Sequence, residues 1–419
     1  MKSYTTISLG CKVNAYEISA LTSALNKLGY VEDNVNPDVA IINTCSVTAT
    51  ADQKSRQHIR KLINNYPHAV VVVMGCYSQG QHEFIKNEIK ADIIVGTSNR
   101  DKLIDLISKF KKGDSPIDLT DNNPRTFKYE ELGLTTHFEN VRAYLKIQDG
   151  CDNFCSYCLI PYRRGKSRSR DLNSVIKEAQ EIVNSGYKEI VLTGIHVGGY
   201  GKDLENVSFS TLVESLLNIP NLYRLRISSI EESEIDDKLI ELINTRDNLA
   251  KHFHIPLQSG SDMVLKRMNR KYNKEQFLNK INLIKKACPN VTLTTDVIVG
   301  FPGESEEEYL ESYNFIKECG FHMIHCFPFS SREGTLASKM KDQIDPKIKK
   351  ERNLKLIELS NSLWDKYTNN YVNKEVEVLV EQYDEINKCN IGHTSNYLEV
   401  KIPGNTSLVG EIVKTIYKK

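Results

Sequence analysis

The chain has 419 residues, 40% of them hydrophobic and 26% charged, with a formal net charge of +1. That is the balance of a globular protein of about two to four domains with a sizeable core. It excludes a globally basic nucleic-acid binder, so a nucleic-acid partner would have to be met by local patches. No apolar run approaches the roughly 18 residues needed to cross a bilayer. The start, MKSYTTISLGCKVNAYE, lacks the apolar core of a signal peptide. A cytoplasmic protein is expected. In that compartment the 10 cysteines do not suit a disulfide framework, and those that cluster point to metal binding or catalysis.

YTTISL (4–9), VAIINT (39–44), AVVVVM (69–74) and DIIV (92–95) read as strands, with NAYEISALTSALNKLG (14–29) as a helix stopped by Gly29. The unbroken β-branched run 69–74 suits a strand covered on both faces. Residues 1–112 are therefore expected to form an α/β domain on a parallel sheet, followed by a linker over 113–138 rich in charge and turn formers. From 139 to 371 six further strands are expected at 143–147, 189–193, 223–228, 252–255, 293–300 and 323–329, separated mostly by helical stretches. That is enough for a partial (β/α)6 barrel, closed by a charged helix over 346–371. Residues 372–419 carry β-like segments at 375–384, 397–402 and 407–417, split by GHTSN and PGNTS turns, and suit a small β-barrel.

Cys11, Cys45 and Cys76 each fall just past the carboxyl end of an expected parallel strand, 34 and 31 residues apart. Those ends share one sheet edge, where open α/β folds bind ligands. Three thiols in equivalent positions point to a shared metal site, against the plainer reading of three small buried hydrophobes. Cys288, Cys319, Cys326 and Cys389 show no such regularity and are read as core or incidental.

The run DGCDNFCSYCLIPYRRGKSRSR (149–170) places Cys151, Cys155 and Cys158 on the loop after the first barrel strand. Three close thiolates can hold an iron–sulfur cluster and leave one iron open. The alternative is a zinc site completed by His196 or His254, although the spacing lacks the paired C-x2-C pattern.

GCKVNAYE (10–17), NTCSVT (43–48), GCYSQ (75–79) and GCDNFCSYCLIPYRRGKSRSR (150–170) together resemble the methylthiotransferase family of the radical S-adenosylmethionine (SAM) superfamily. Lys12-Val13-Asn14 resembles the branch acting on N6-threonylcarbamoyladenosine of tRNA; the isopentenyladenosine branch tends to Gln-Met-Asn and the ribosomal-protein branch to Pro-Lys-Asn. The resemblance spans essentially the whole chain. It implies two [4Fe–4S] clusters, a radical-generating one on Cys151, Cys155 and Cys158 and a sulfur-delivering one on Cys11, Cys45 and Cys76. SAM is the implied cofactor, and a tRNA anticodon loop, an electron donor and a sulfur source are the implied partners. The implied chemistry is hydrogen abstraction from C2 of the adenine by a radical made from SAM. A side-chain base cannot remove that hydrogen, and a cofactor can. A non-catalytic metal-containing RNA-binding protein is the remaining alternative.

The resemblance also implies SAM contacts at strand ends. These are Thr193 and Gly194, where the superfamily often has Gly-Gly-Glu and this chain lacks the acid, together with Ser229, Glu231, Gln258, Asp296 and Gly300. Ordinary loop capping is the competing reading, above all for Ser259 and Ser305. For RNA, Arg163, Arg164, Lys166, Arg168 and Arg170 form a basic run beside the barrel mouth; the competing reading is that some of these arginines pack structurally or serve the cluster region, above all Arg164 of the cysteine-loop motif, with Arg163 the freer candidate. The tail resembles a TRAM domain, with His393, Asn396 and Tyr397 near the expected binding face, although such a barrel could instead only pack on the core.

Overall fold

The computed structural model describes residues 2–135, 138 and 140–419. The first sheet has six parallel strands: β1 (Ser3–Ser8), β2 (Val31–Glu32), β3 (Val39–Thr44), β4 (Val70–Gly75), β5 (Ile93–Ile94) and β6 (Ile117–Asp118), in the order β2-β1-β3-β4-β5-β6. β3 and β4 are buried along their whole length, as continuous apolar runs require when helices cover both faces. The stretch expected to be a linker supplies β6 to this sheet and a short 3-10 turn at Pro124–Thr126. Two-residue strands such as β2 and β6 carry too little periodicity to be seen in sequence.

Six parallel strands make the central layer: β7 (Ala143–Lys146), then, past a two-stranded ribbon of β8 (Gln148–Asp149) and β9 (Arg168–Ser169), β10 (Glu189–Thr193), β11 (Arg224–Ile227), β12 (His252–His254), β13 (Thr292–Val299) and β14 (Met323–Pro328). They run β7-β10-β11 and β12-β13-β14, and single bridges Leu225↔Leu249 and Ser229↔His254 join the two halves. One face, with Leu145, Ile190, Leu192, Leu225 and Leu293, packs against helices in the main core. The opposite, concave face carries Glu189, Arg224, Arg226, His252, Thr294 and Asp296. Helix Pro346–Asn369 closes the last strand, with Ser360 Oγ accepting from Ile324 N at 2.9 Å. Among the described residues no helix is long and apolar enough to cross a membrane.

The tail forms a curled four-stranded antiparallel sheet of β15 (Glu375–Asp384), β16 (Cys389–Thr394), β17 (Glu399–Pro403) and β18 (Ile412–Ile416), in the order β17-β16-β15-β18 around Val378, Val380, Leu398 and Val400. Much of the expected GHTSN turn is strand β16. This sheet docks on the barrel through charge. Buried Glu189 takes Arg226 Nε at 2.6 Å and Arg224 Nη1 at 3.0 Å. The same guanidinium groups donate to the carbonyls of His393, Thr394 and Ser395 at 3.3, 3.1 and 3.2 Å.

Burial alone would raise the Glu189 carboxyl, but Arg226 and Arg224 outweigh it and bring it down to about 2 from an ordinary 4.5. A carboxyl lowered on folding stabilises the fold above pH 4.5 and loses that contribution as pH falls toward 2. Glu189→Gln leaves two guanidinium groups without their carboxylate, at a cost of about 3–5 kcal/mol at neutral pH. Urea unfolding of the two proteins should show that gap closing as pH is lowered from 4.5 toward 2. A gap independent of pH over that interval would contradict the assignment.

Candidate functional site

The carboxyl ends of the three adjacent strands β1, β3 and β4 deliver Cys11, Cys45 and Cys76 to one edge. Cys11 is exposed and caps helix Lys12–Lys27; Cys45 and Cys76 are buried. Gly10 has φ +97°, and a Cβ there would stand 2.6 Å from Cys45 Sγ, so the first loop passes directly over the second thiol. Asn14 pins the same loops by donating to Leu9 O at 2.7 Å and Thr44 O at 3.1 Å. Ser55 Oγ donates to Cys45 O at 2.9 Å and accepts from Cys45 N at 3.3 Å.

The second trio lies on the loop between β8 and helix Ile160–Arg164, all three thiols half-buried. The loop is closed by Cys151 N donating to Gly165 O at 3.0 Å, and Ser156 N donates to Met268 O at 2.9 Å. Arg270 Nη1 reaches Cys155 Sγ at 3.4 Å. Burial pushes the Cys158 thiol up to about 12 and the Cys76 thiol up to about 11, the latter despite Arg164 beside it. Free of metal, both are therefore protonated at neutral pH, and metal loading must release those protons.

Arg164 joins the two trios. It is fully buried, and its Nε donates to Cys76 Sγ at 3.2 Å. Nη1 donates to Glu17 at 2.9 Å and Asp149 at 3.0 Å, and Nη2 to Asn14 Oδ1 at 3.0 Å. Lys146 bonds the same two carboxylates at 3.0 and 2.7 Å, Arg100 contacts both, and Arg168 approaches Asp149 at 3.3 Å. Burial would raise Glu17 and Asp149, but these cations hold both well below the usual carboxylate range. Glu130 adds a third carboxylate, at 2.7 Å from Arg100. Four cations thus face three carboxylates, and one of the four, Arg164, also bonds Cys76, where a thiolate-held cluster would bring further negative charge.

Among the described residues, three ligand atoms within 4.8 Å of one another occur at His254, Asp296 and His325. Of the two histidines weighed for a zinc site, His196 lies beside Cys155 with its Nε2 2.8 Å from Glu234, and His254 lines a different cavity. The donor chemistry fits two iron–sulfur clusters.

The SAM candidates are dispersed. Glu231 lies with Cys155, His196 and Arg270 around a cavity of about 210 Å³ and is ion-paired to Arg270. Ser229 and Asp296 line a neighbouring cavity of about 270 Å³ on the concave face, with Asp296 3.2 Å from His254 Nε2. Thr193 is buried at the end of β10, and Gly194 packs against Gln148. Gln258, at φ +64°, is tied into the sheet by its backbone to Asp296 and Ile298. The Gly300 amide donates to Glu304 at 2.7 Å, so it is not free for an adenine.

The basic run needs correction. Arg164, Arg168 and Arg170 are buried, and Arg170 serves Glu178 and Glu131. They are structural ion-pair partners and present nothing to RNA phosphates. Lys166 is exposed, and Arg163 lies half-buried over Gly80. His393, Asn396 and Tyr397 also turn inward. His393 Nδ1 is 2.9 Å from Glu381, Asn396 donates to Tyr367 and Tyr371 hydroxyls at 2.7 Å each, and Tyr397 stacks on His252 at 4.7 Å. Asn396 and Tyr397 fasten the tail to the barrel, while the His393 side chain pairs within the tail's own sheet. Glu17, Arg100, Lys146, Asp149 and Arg270 were not anticipated from sequence; for Glu17 a signal existed, since it lies three residues past Asn14 on the same helix face. Phe154 and Tyr162 were also missed. Both are exposed on the cysteine loop, edge to face at 6.0 Å.

The sequence matches the Radical SAM superfamily over residues 145–316 and Uncharacterized protein family UPF0004 over residues 3–96. It is 46% identical over 413 residues to the threonylcarbamoyladenosine tRNA methylthiotransferase MtaB of Bacillus subtilis, covering 97% of this chain and 92% of that one. A tRNA-2-methylthio-N(6)-dimethylallyladenosine synthase of Acetivibrio thermocellus is 35% identical over 98% of this chain and 88% of its own. Among solved structures, the radical S-adenosylmethionine methyltransferase TsrM from Kitasatospora setae superimposes with a TM-score of 0.58 at 14% identity, over 78% of this chain and 73% of that one, a likeness of fold. With both cysteine motifs in place and a full-length relative at this identity, the chain belongs to the radical SAM methylthiotransferase family.

Proposed function

We propose that this protein inserts a methylthio group at C2 of N6-threonylcarbamoyladenosine in the anticodon loop of tRNA. The observation that carries the reading is the Arg164 clamp, which bonds Cys76 of one trio while standing on the loop of the other. The segment that carries one trio is thereby tied to a thiol of the other, which supports a radical step followed by sulfur delivery. The full-length relative from Bacillus subtilis supports the nucleoside. When bound, a reduced cluster on Cys151, Cys155 and Cys158 supplies the electron that splits SAM, and one on Cys11, Cys45 and Cys76 carries the sulfur.

The chain's own part is placement. Arg164 and Asn14 fix the two loops relative to each other. Arg332 adds a second tie, donating to Ser46 O at 3.1 Å and to Asp52 at 2.6 Å next to Cys45. Arg270 and Glu231 wall the cavity beside Cys155, where SAM would lie. The working units are 1–112 for sulfur delivery, 139–371 for radical generation and 372–419 for docking, joined through 113–138. Exposed Lys166 and the Phe154–Tyr162 pair offer phosphate contact and base stacking at the rim of the cysteine loop. An electron donor and a sulfur source complete the reaction, and cytoplasmic residence gives access to tRNA.

Two measurements test this. In tRNA from a strain lacking the protein, the methylthiolated threonylcarbamoyl nucleoside should disappear and its unmodified precursor accumulate; loss of the isopentenyl derivative instead would reassign the substrate. Complementation with Cys155→Ala should fail to restore the modification, whereas a binding protein that still folds would restore it. Iron analysis of protein purified without oxygen should give about eight irons per chain. Gly150→Ala should bring that to about four, because at φ +73° its Cβ would lie 1.9 Å from Lys166 O and force the cysteine loop open. About four irons in the wild type would overturn the two-cluster assignment.

A further inference from the structure

The cavity of about 210 Å³ beside Cys155 has three carboxylates on its wall, from Glu231, Glu232 and Glu234 just past β11. Two of them are matched. Glu231 is ion-paired to Arg270, and Glu234 has His196 Nε2 and Lys202 Nζ at 2.8 Å each. Lys271, the remaining cation of the wall, is exposed and donates to Asn269 Oδ1 at 2.8 Å. Glu232 is left over. It is 5% exposed, so bulk water does little for its charge, and among the described residues it has no ion pair. Its Oε2 has no hydrogen-bond partner. Burial and the neighbouring Glu231 charge push its carboxyl up to about 7, and the Ser233 amide and Arg270 offset only part of that.

A buried carboxyl short of both a cation and a donor is costly to keep, and the cavity is the side from which a ligand can bring them. We propose that Glu232 is the carboxylate partner of the α-ammonium of SAM. The charges of SAM narrow the choice. Its adenosine carries none at neutral pH, and its methionine end carries two cations, the ammonium and the sulfonium. Only the ammonium has N–H groups, so only it can supply the donor that the carboxyl lacks as well as the charge. Glu231 cannot take this role, because Arg270 already holds it, and Glu234 is shared by His196 and Lys202. The inference rests on the placement of SAM beside Cys155 and extends it to one group of the cofactor.

The test is equilibrium binding of three ligands to the cluster-loaded protein without oxygen. They are SAM, its analogue lacking the amino group, and S-adenosylhomocysteine, which keeps the ammonium and lacks the sulfonium charge. Wild type should bind SAM about tenfold or more tightly than the deaminated analogue, the yield of one charge-assisted pair. Glu232→Gln, of nearly the same shape, should weaken SAM and S-adenosylhomocysteine by about tenfold and leave the deaminated analogue where it was. A merely structural role would weaken all three alike, and that result would overturn the proposal. So would a loss confined to SAM and its deaminated analogue, which would make Glu232 the partner of the sulfonium. If Glu232→Gln binds all three as wild type does, the ammonium assignment fails. If Arg270→Gln also binds them so, SAM does not lie in this cavity, and its placement fails too.

Discussion

The structure depends on a charge network sealed inside it. Glu17 comes from the first cysteine motif, Arg100 from the connection between β5 and β6, Glu130 from the chain leading out of the first sheet, Lys146 and Asp149 from the first barrel strand and its ribbon, and Arg164 and Arg168 from the segment after Cys158. Taking so many charges out of water is expensive, and well-packed apolar residues would often hold two domains together at least as well. What apolar packing lacks is direction. Each guanidinium has a fixed fork of donors, so its bonds define an orientation as well as a contact. Because Arg164 spends its donors on Glu17, Asp149, Asn14 and Cys76 at once, one thiol trio cannot slide past the other without breaking several bonds. Chemistry that passes a substrate atom between two sites needs that rigidity more than it needs stability.

The same device recurs at the other end of the barrel. Glu189 gathers Arg224 and Arg226, and the spare donors of those arginines fall on main-chain carbonyls of the tail rather than on its side chains. Docking is thus written largely into backbone geometry. It brings Tyr397, in the left-handed conformation at φ +67°, between His252 and His393 at 4.7 and 4.9 Å. The tail therefore completes the wall of a cavity in the catalytic layer.

The cysteine pattern was legible in sequence for a physical reason. A thiol just past each of three parallel strands lands on one edge whatever the details of the helices between, because parallel strands align their ends. The barrel strands were equally legible from their apolar runs. Burial of charge was not. Arg164, Arg168 and Arg170 read as part of a surface patch because local sequence carries no mark of the acids that meet them, and Glu17 and Asp149 stand 147 and 15 residues from Arg164. The tail misled in a similar way. GHTSN has turn composition, yet Gly392 lies within β16, where a Cβ would stand 2.1 Å from Leu379 O, so the glycine is there for close strand approach rather than for a turn.

Once those arginines are counted as internal, the electrostatics of RNA approach change. With a net charge of +1 and much of the basic run neutralised inside, the rim of the cysteine loop keeps few free cations, Lys166 foremost. Long-range steering by such a surface is weak. Short-range contacts then count for more, and the exposed Phe154–Tyr162 pair is the candidate platform for an unstacked base. This arrangement favours selectivity over affinity. Any single-stranded base can stack on the rim, so selection requires a fit beyond it. Non-cognate RNA meets little general attraction to overcome that requirement.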